Sequence, residues 1–574
     1  MTLRQRARAI RAAAGLALAG CLAIGFAFAC RRAPRPSEVN LIFVLVDTMR
    51  ADALGRHDGR TPFLDRLARD GTVFERAYAQ ASWTLPSISS LLAGRWPAES
   101  PGWSEGTQGI PPGVASLAEL LHGAGMRSAA FVSNPLLKEN SGFGRGFESY
   151  WASRVEDGVL TPAAVAVDHA IPWIAAHRKE RFFVLLHLMD PHDPYCPPAR
   201  RVGPPGAWPG NPDPAFTGAV PMPDAATIAS WKGLYAEEVS YLDAQLARLF
   251  ASLDPEVRAR TAVVLTADHG EEFLDHGFLK HAVTLFDEAV HVPLIVQMPG
   301  APAGRRVSQV VRLVDVVPTL TDLLAVPVAE PVRARWAGVS LAPAIRATAP
   351  VPPLLAMGET FGFGPLRWYV FDGRRKVVLF NKDHRIPNEL PALKNPNEWL
   401  TKNLPAEGVY VSTAEAPSDV RITDGVEEDL RRAHNLASRY VSGKIGGLWL
   451  AVRGPGHGGR TDVSFALPGI ETAHVIPFFW RDGDAVRPQK GALEVHVADD
   501  GITRVAVVLG VDEASARALQ VLPKDGAASA HLRRPGPDEE GAFAWYEKES
   551  RPAASAAAGR TEMLFRLRAL GYIN

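Results

Sequence analysis

Four side chains far apart in the sequence form the set best suited to chemistry: Asp47, Thr84 and the adjacent pair Asp268 and His269. Two carboxylates, a hydroxyl and an imidazole make a mixed oxygen and nitrogen shell. Such a shell suits one hard or borderline divalent ion (Mn²⁺, Mg²⁺ or Ca²⁺, with Zn²⁺ possible) better than a thiolate-seeking one. A threonine hydroxyl held by that ion loses its proton more easily and becomes a nucleophile. In "YAQASWTLPSISSLLAG" Thr84 opens a small-residue apolar helix pattern, with Pro86 fixing the turn. The helix N-terminus offers backbone donors to an anionic substrate. Taken by itself, Thr84 reads more simply as a helix N-cap.

Bringing these side chains together requires a sheet whose strand ends share one edge. "NLIFVLVD" is an unbroken aliphatic run ending on Asp47, as a strand covered on both faces would be. "RSAAFVSN", "RFFVLLHLMD", "TAVVLTADHG" and "HVPLIVQMPG" are further candidate strands. Helical patterns separate them at 161 to 177 and 224 to 253, and "TPFLDRLARDG" carries Thr61 as N-cap, Pro62 at the first helical position and Gly71 as the stop. The fold class is therefore α/β, with a mostly parallel central sheet flanked by helices. Polar residues end the strands: Asp47, Asn134, His187 with Asp190, and Asp268 with His269. In open α/β sheets ligands bind at that edge.

The chain has 574 residues, 47% of them hydrophobic and 22% charged, enough for a large core and a second, smaller one. Lys and Arg total 62, as do Asp and Glu, so the charge balance points to no nucleic acid partner. Arg4, Arg6, Arg8 and Arg11 precede an uncharged run from Ala12 to Cys30, followed by Arg31 and Arg32. Residues 1–36 thus read as an export signal or membrane anchor with a linker, and Cys21 in "LAGC" or Cys30 in "AFAC" as a lipidation site. The body is expected outside the cytoplasm, anchored to a membrane through its N-terminus. Only Cys196 remains there, so no internal disulfide can form. The catalytic unit is expected over 37–350 and a smaller β-rich region over 351–574. There "LRWYVFDGRRKVVLFN" suggests a hairpin around Asp372-Gly373, and "ALEVHVADDGITRVAVVLG" a tight hairpin at Asp499-Asp500.

"NLIFVLVDTMRADALG", "ASWTLPSISSLLAG", "FFVLLHLMDPHDPY" and "VVLTADHGEEFLDHGFLKHAVTLFDEAVHVPLIV" together resemble the sulfatase family of the alkaline phosphatase superfamily, over about residues 39 to 345. "LRALGYI" at the end is similar to the ending of many bacterial members. The resemblance implies that Asp47, Asp268 and His269 bind the catalytic metal and that Thr84 occupies the nucleophile position. It implies that His187, His192 and His281 meet the substrate's anionic group or the leaving oxygen, with Lys280 beside them and Asn134 as a further substrate contact. Arg50 supports the metal loop, and His291, between apolar neighbours, is structural.

Two departures stand out. A typical member has Cys-x-Pro-x-Arg, whose cysteine becomes formylglycine, where this chain has Thr84-Leu85-Pro86-Ser87-Ile88, and Thr48 replaces the second aspartate of the usual pair. In both respects the chain is similar to bacterial phosphonate hydrolases and to the lipoteichoic acid synthase and phosphoethanolamine transferase branches. A threonine ester must be resolved by attack at sulfur or phosphorus, and phosphorus is the easier centre. The favoured expectation is phosphate ester or diester cleavage or transfer, with His281 or His187 protonating the leaving group. The alternatives are true sulfate ester hydrolysis without formylglycine and an inactive surface-anchored binding module.

Overall fold

The computed structural model describes residues 34–55, 59–97, 109–153, 161–202, 223–360, 367–380, 408–411, 420–422, 447–454, 456–467, 470, 474–478, 484–509, 516–523, 530–533, 535 and 539–547. The anchor with Cys21 and Cys30, the terminal "LRALGYI" and most of the loops 96 to 112 and 193 to 223 lie outside these residues. No helix among the described residues is long and apolar enough to cross a membrane.

The catalytic part is built on a nine-stranded sheet. Its strands are β1 (Asn40–Val46), β2 (Thr72–Tyr78), β3 (Arg127–Val132), β4 (Ser149–Ala152), β5 (Phe182–Leu188) and β6 (Thr261–Ala267), then, after a small hairpin of β7 (Glu272–Phe273) and β8 (Leu279–Lys280), β9 (His291–Val292), β10 (Leu294–Gln297) and β11 (Arg305–Arg312). The order is β11-β2-β10-β6-β1-β5-β3-β4, with β9 added to β2. β1 lies between β5 and β6, parallel to both, and all seven residues of each of these three strands are buried. Aliphatic runs without alternation fold this way because helices cover both faces. In this register Val46 lies beside Leu188 and Ala267, so Asp47 and Asp268 leave the sheet at one edge, with His187 beside them. β3 pairs parallel with β5 and brings Asn134 to the same edge.

The strand expected from "HVPLIVQMPG" departs from the parallel pattern, since β10 runs antiparallel between β2 and β6. Pro293, which lacks an N–H, separates it from β9. The helices that matter are α1 (Pro62–Asp70), α2 (Thr84–Ala93), α3 (Leu117–Gly123), α4 (Ala163–Ala176), α5 (Ala225–Ser252) and α6 (Val316–Leu323). Thr61 precedes α1 as expected but makes no side-chain cap. Its place is taken by Asp243 on α5, whose carboxylate accepts from Phe63 N (3.1 Å) and Leu64 N (2.7 Å). The two carboxyl oxygens satisfy two of the helix's free N–H groups at once, where a single hydroxyl would reach one.

The C-terminal part is β-rich. Strands β12 (Ala356–Thr360), β13 (Arg367–Phe371), β14 (Arg375–Phe380), β15 (Gly408–Val411) and β16 (Val420–Ile422) form an antiparallel sheet. Its β13–β14 hairpin turns at Asp372-Gly373, where Gly373 has φ +96°. Ala356, Tyr369, Phe371, Val378 and Tyr410 of this sheet belong to the same hydrophobic core as the central sheet. Two further sheets, around Gly447–Arg453 and Arg460–Ala466, close a separate core of Leu448, Leu450, Val463, Phe465, Leu493, Val495 and their neighbours. The tight hairpin expected at Asp499-Asp500 is absent. Ala492–Ala498 and Arg504–Leu509 lie in different sheets, and the link between them is held by Asp500 against the Arg504 guanidinium and Asp499 against Gly456 N.

Candidate active site

Asp47, Thr84, His187, Asp268 and His269 are brought together and are fully buried. Thr84 is the first residue of α2, whose ten residues are all buried, and the N-cap position expected for it is held by Trp83. Its hydroxyl lies 3.4 Å from His269 Nε2 and beside the Asp268 carboxylate. Ser87, one turn on, donates to the Asp268 carbonyl at 2.5 Å and ties α2 to the end of β6. His269 Nε2 is 3.5 Å from Asp47 Oδ1 and 3.4 Å from Asp268 Oδ2, while its Nδ1 donates to Gly270 O at 3.0 Å. That bond fixes the tautomer and leaves Nε2 as a lone-pair donor. Burial lowers His269 to about 4 and His187 to about 3, so both imidazoles are neutral and their contacts with Asp47 and Asp268 are not ion pairs.

The carboxylates carry the opposite strain. Burial, then the neighbouring Asp268, raises Asp47 to about 6, and burial raises Asp268 to about 8. Asp47 Oδ1, Asp268 Oδ2 and both ring nitrogens of His187 have no hydrogen-bond partner. Donor atoms of Asp47, His187 and Asp268 lie within 4.8 Å of one another. Two buried carboxylates with orphaned oxygens beside neutral imidazoles are costly alone and fit a divalent cation held between them.

A second group adjoins the first. The His281 ring lies 4.5 Å from that of His269 and 5.0 Å from that of His192, centre to centre. His281 Nδ1 is 3.0 Å from Glu271 Oε1, His192 Nδ1 is 2.6 Å from Asp193 O, and Lys280 Nζ is 3.0 Å from Asp193 Oδ2. Burial, then His269, His192 and Lys280, holds His281 well below the usual imidazole range.

Some expected residues sit differently from their expected roles. Asn134 donates to Asp47 Oδ2 (2.8 Å) and accepts from Leu136 N (2.8 Å), so its amide orients a carboxylate where a substrate contact was expected. His187, expected as a proton donor, groups with Asp47 and Asp268. Asp190 turns away from the edge to accept from Ala163 N at the start of α4. Arg50 braces the loop after β1 through Asp52, Asp275 and Glu271 O, and His291 stacks on Tyr78. The sequence reading missed Asp193 and Glu271, although each stands beside a residue it singled out, in "DPHDP" and "DHGEE".

Residues 39–326 match the family described as Sulfatase, just over half of the chain. Arylsulfatase K of Gallus gallus is 24% identical over an alignment of 388 positions that covers 57% of this chain and 70% of that protein. The uncharacterized sulfatase YidJ of Escherichia coli is 23% identical over an alignment of 341 positions that covers 50% of this chain and 67% of that one. Among solved structures, the phosphonate monoester hydrolase SpPMH from Silicibacter pomeroyi superposes with a TM-score of 0.55 at 20% identity, covering 71% of this chain and 96% of that one. A 2-O GAG sulfatase does so with 0.53 at 18%, covering 71% and 92%. The sheet order, the site at its carboxyl edge and these matches together assign the chain to the sulfatase family, as an ester hydrolase.

Proposed function

We propose that this chain hydrolyses phosphate or sulfate esters through a covalent ester on Thr84, with phosphate monoesters and diesters favoured. One observation carries the reading: the Thr84 hydroxyl faces His269 Nε2 at 3.4 Å and the Asp268 carboxylate, at the point where orphaned oxygens of Asp47 and Asp268 converge. Asp47, Asp268, His269 and His187 would hold one divalent cation, of the Ca²⁺, Mg²⁺, Mn²⁺ or Zn²⁺ class, with Thr84 against it. When bound, the ion supplies the positive charge that steadies an alkoxide and a charge-spread transition state.

Thr84 Oγ1 attacks phosphorus or sulfur, its proton passing to the Asp268 carboxylate, and the bond to the leaving oxygen breaks. His281, its Nδ1–H oriented by Glu271, enters the step as the imidazolium once the anionic oxygens of the substrate lie beside it, gives its Nε2 proton to that oxygen and is left neutral. His192 and Lys280 meet the anionic oxygens of the substrate. Water then attacks the Thr84 ester, losing a proton to His281, and the Asp268 proton returns to Thr84. Phosphorus is favoured because a threonine, unlike a hydrated aldehyde, cannot expel the acid by breaking its own carbon–oxygen bond. True sulfate ester hydrolysis is the second reading, supported by relatives named as arylsulfatases.

Parallel assays of aryl sulfates, phosphate monoesters and phosphodiesters, each against the four metals, separate these readings. Thr84→Ala is expected to abolish turnover on all of them, and mass spectrometry of acid-quenched wild-type protein to find one phosphoryl group on Thr84. Normal turnover by the alanine variant would refute the route. The arginine-flanked apolar run from Ala12 to Cys30 supports a membrane-anchored site of action outside the cytoplasm, checked by fractionation and lipid labelling.

A further inference from the structure

His281 stands between two residues that carry a Cβ and have positive φ, Lys280 at +64° and Ala282 at +71°. Such backbone is unfavourable for these residues and persists only where the surroundings enforce it. Here the Ala282 backbone is gripped on both sides of its Cα. Its N–H donates to Ser82 O at 2.7 Å, two residues before Thr84, and its carbonyl accepts from the Thr360 hydroxyl at 2.9 Å. Ala282 and Thr360 are both fully buried.

Thr360 is the last residue of β12, in the C-terminal sheet. The same sheet follows the segment that leads into Thr84, with Glu359 N donating to Gln80 O at 2.9 Å and the Tyr369 hydroxyl to Ala79 O at 2.7 Å. One residue, through the peptide groups on either side of its Cα, thus joins the approach to Thr84, the loop of His281 and the C-terminal sheet. Removing the Thr360 hydroxyl strips a buried carbonyl of the bond that fixes this residue and lets the strained turn after His281 relax.

We propose that Thr360 is a positioning residue: through the Ala282 backbone it sets where His281 stands, which makes the C-terminal sheet part of the catalytic apparatus. The proposal rests on His281 as the donor of the leaving-group proton. The test uses the full chain, loaded with the metal that best supports turnover, and esters of its preferred acid whose alcohols range from nitrophenols to simple alkanols. Poor leaving groups need the proton; nitrophenols do not.

Thr360→Val, which keeps the shape and loses the hydroxyl, is expected to lower kcat about tenfold on alkyl esters and little on nitrophenyl esters, with KM unchanged. Thr360→Ser is expected to restore both, and His281→Ala to show the same leaving-group pattern more strongly. Thermal melting confirms the fold, and Thr360→Ala serves if the valine variant does not fold. An equal loss on every ester in the valine variant, with the selective pattern kept in His281→Ala, overturns the role of Thr360. A flat response in His281→Ala overturns the reading of His281, and the proposal with it.

Discussion

Glu271 Oε1 lies 3.0 Å from His281 Nδ1, and both side chains are fully buried. In the proposed route this contact keeps the Nδ1 proton in place and would steady the imidazolium while Nε2 carries a second one. Glu271→Gln keeps an acceptor and loses the charge. It is expected to lower kcat by at least about tenfold with KM little changed, most clearly on esters with poor leaving groups. Steady-state kinetics on two esters of different leaving-group acidity checks this.

Asn134 aims Asp47 through a bond of 2.8 Å to Oδ2, the oxygen opposite the orphaned Oδ1. Partners of metal-binding side chains are worth about 10- to 100-fold in affinity. Asn134→Ala is expected to weaken divalent cation binding by that range, read by calorimetric titration of chelator-stripped protein. Stripping the wild type should also lower its melting temperature, since the Asp47 and Asp268 carboxylates then face each other uncompensated.

The cap that Asp243 places on α1 joins elements 179 residues apart in sequence, and the aspartate is nearly fully buried. Asp243→Ala leaves two helix N–H groups without that acceptor and is expected to cost about 2 kcal/mol. The urea midpoint should fall accordingly while the kcat of the folded fraction stays near the wild-type value.

Asp190 titrates abnormally high because it is buried, at about 7 against an ordinary 3.8. Between those values the folded protein holds a proton that the unfolded chain has released. Stability from this group is therefore greatest below the unfolded value and falls as pH rises through the folded one, by at most about 1.4 kcal/mol per pH unit. Asp190→Asn, which still offers an oxygen to Ala163 N, should gain on the wild type in urea unfolding as pH rises from 4.5 to 8. A constant difference across that range would show that Asp190 does not titrate there.

The strands β1, β3, β5 and β6 were legible because buried parallel strands are written as continuous aliphatic runs, and each ended on the polar residue the sheet delivers to its edge. Thr84 was legible as a nucleophile candidate only in company, since a threonine before a proline at a helix start has the composition of an ordinary cap. The direction of β10, the partner of α1 and the roles of Asn134 and Asp190 were not legible. Each depends on a contact between distant segments that no local pattern encodes. The Asp499-Asp500 turn shows the same limit: its composition suits a hairpin, and only the pairing of its flanking strands with two different sheets decides otherwise.

Two hydrophobic cores of the described residues differ in what they tie together. Truncation just before β12 would uncover apolar surface of the catalytic half and remove Thr360 from the Ala282 carbonyl, whereas loss of everything from Gly447 onward leaves the described residues of the first core in place. The first C-terminal sheet is thus welded to the enzyme, while the sheets from Gly447 onward carry a core of their own, whose removal is expected to leave the fold around Thr84 standing.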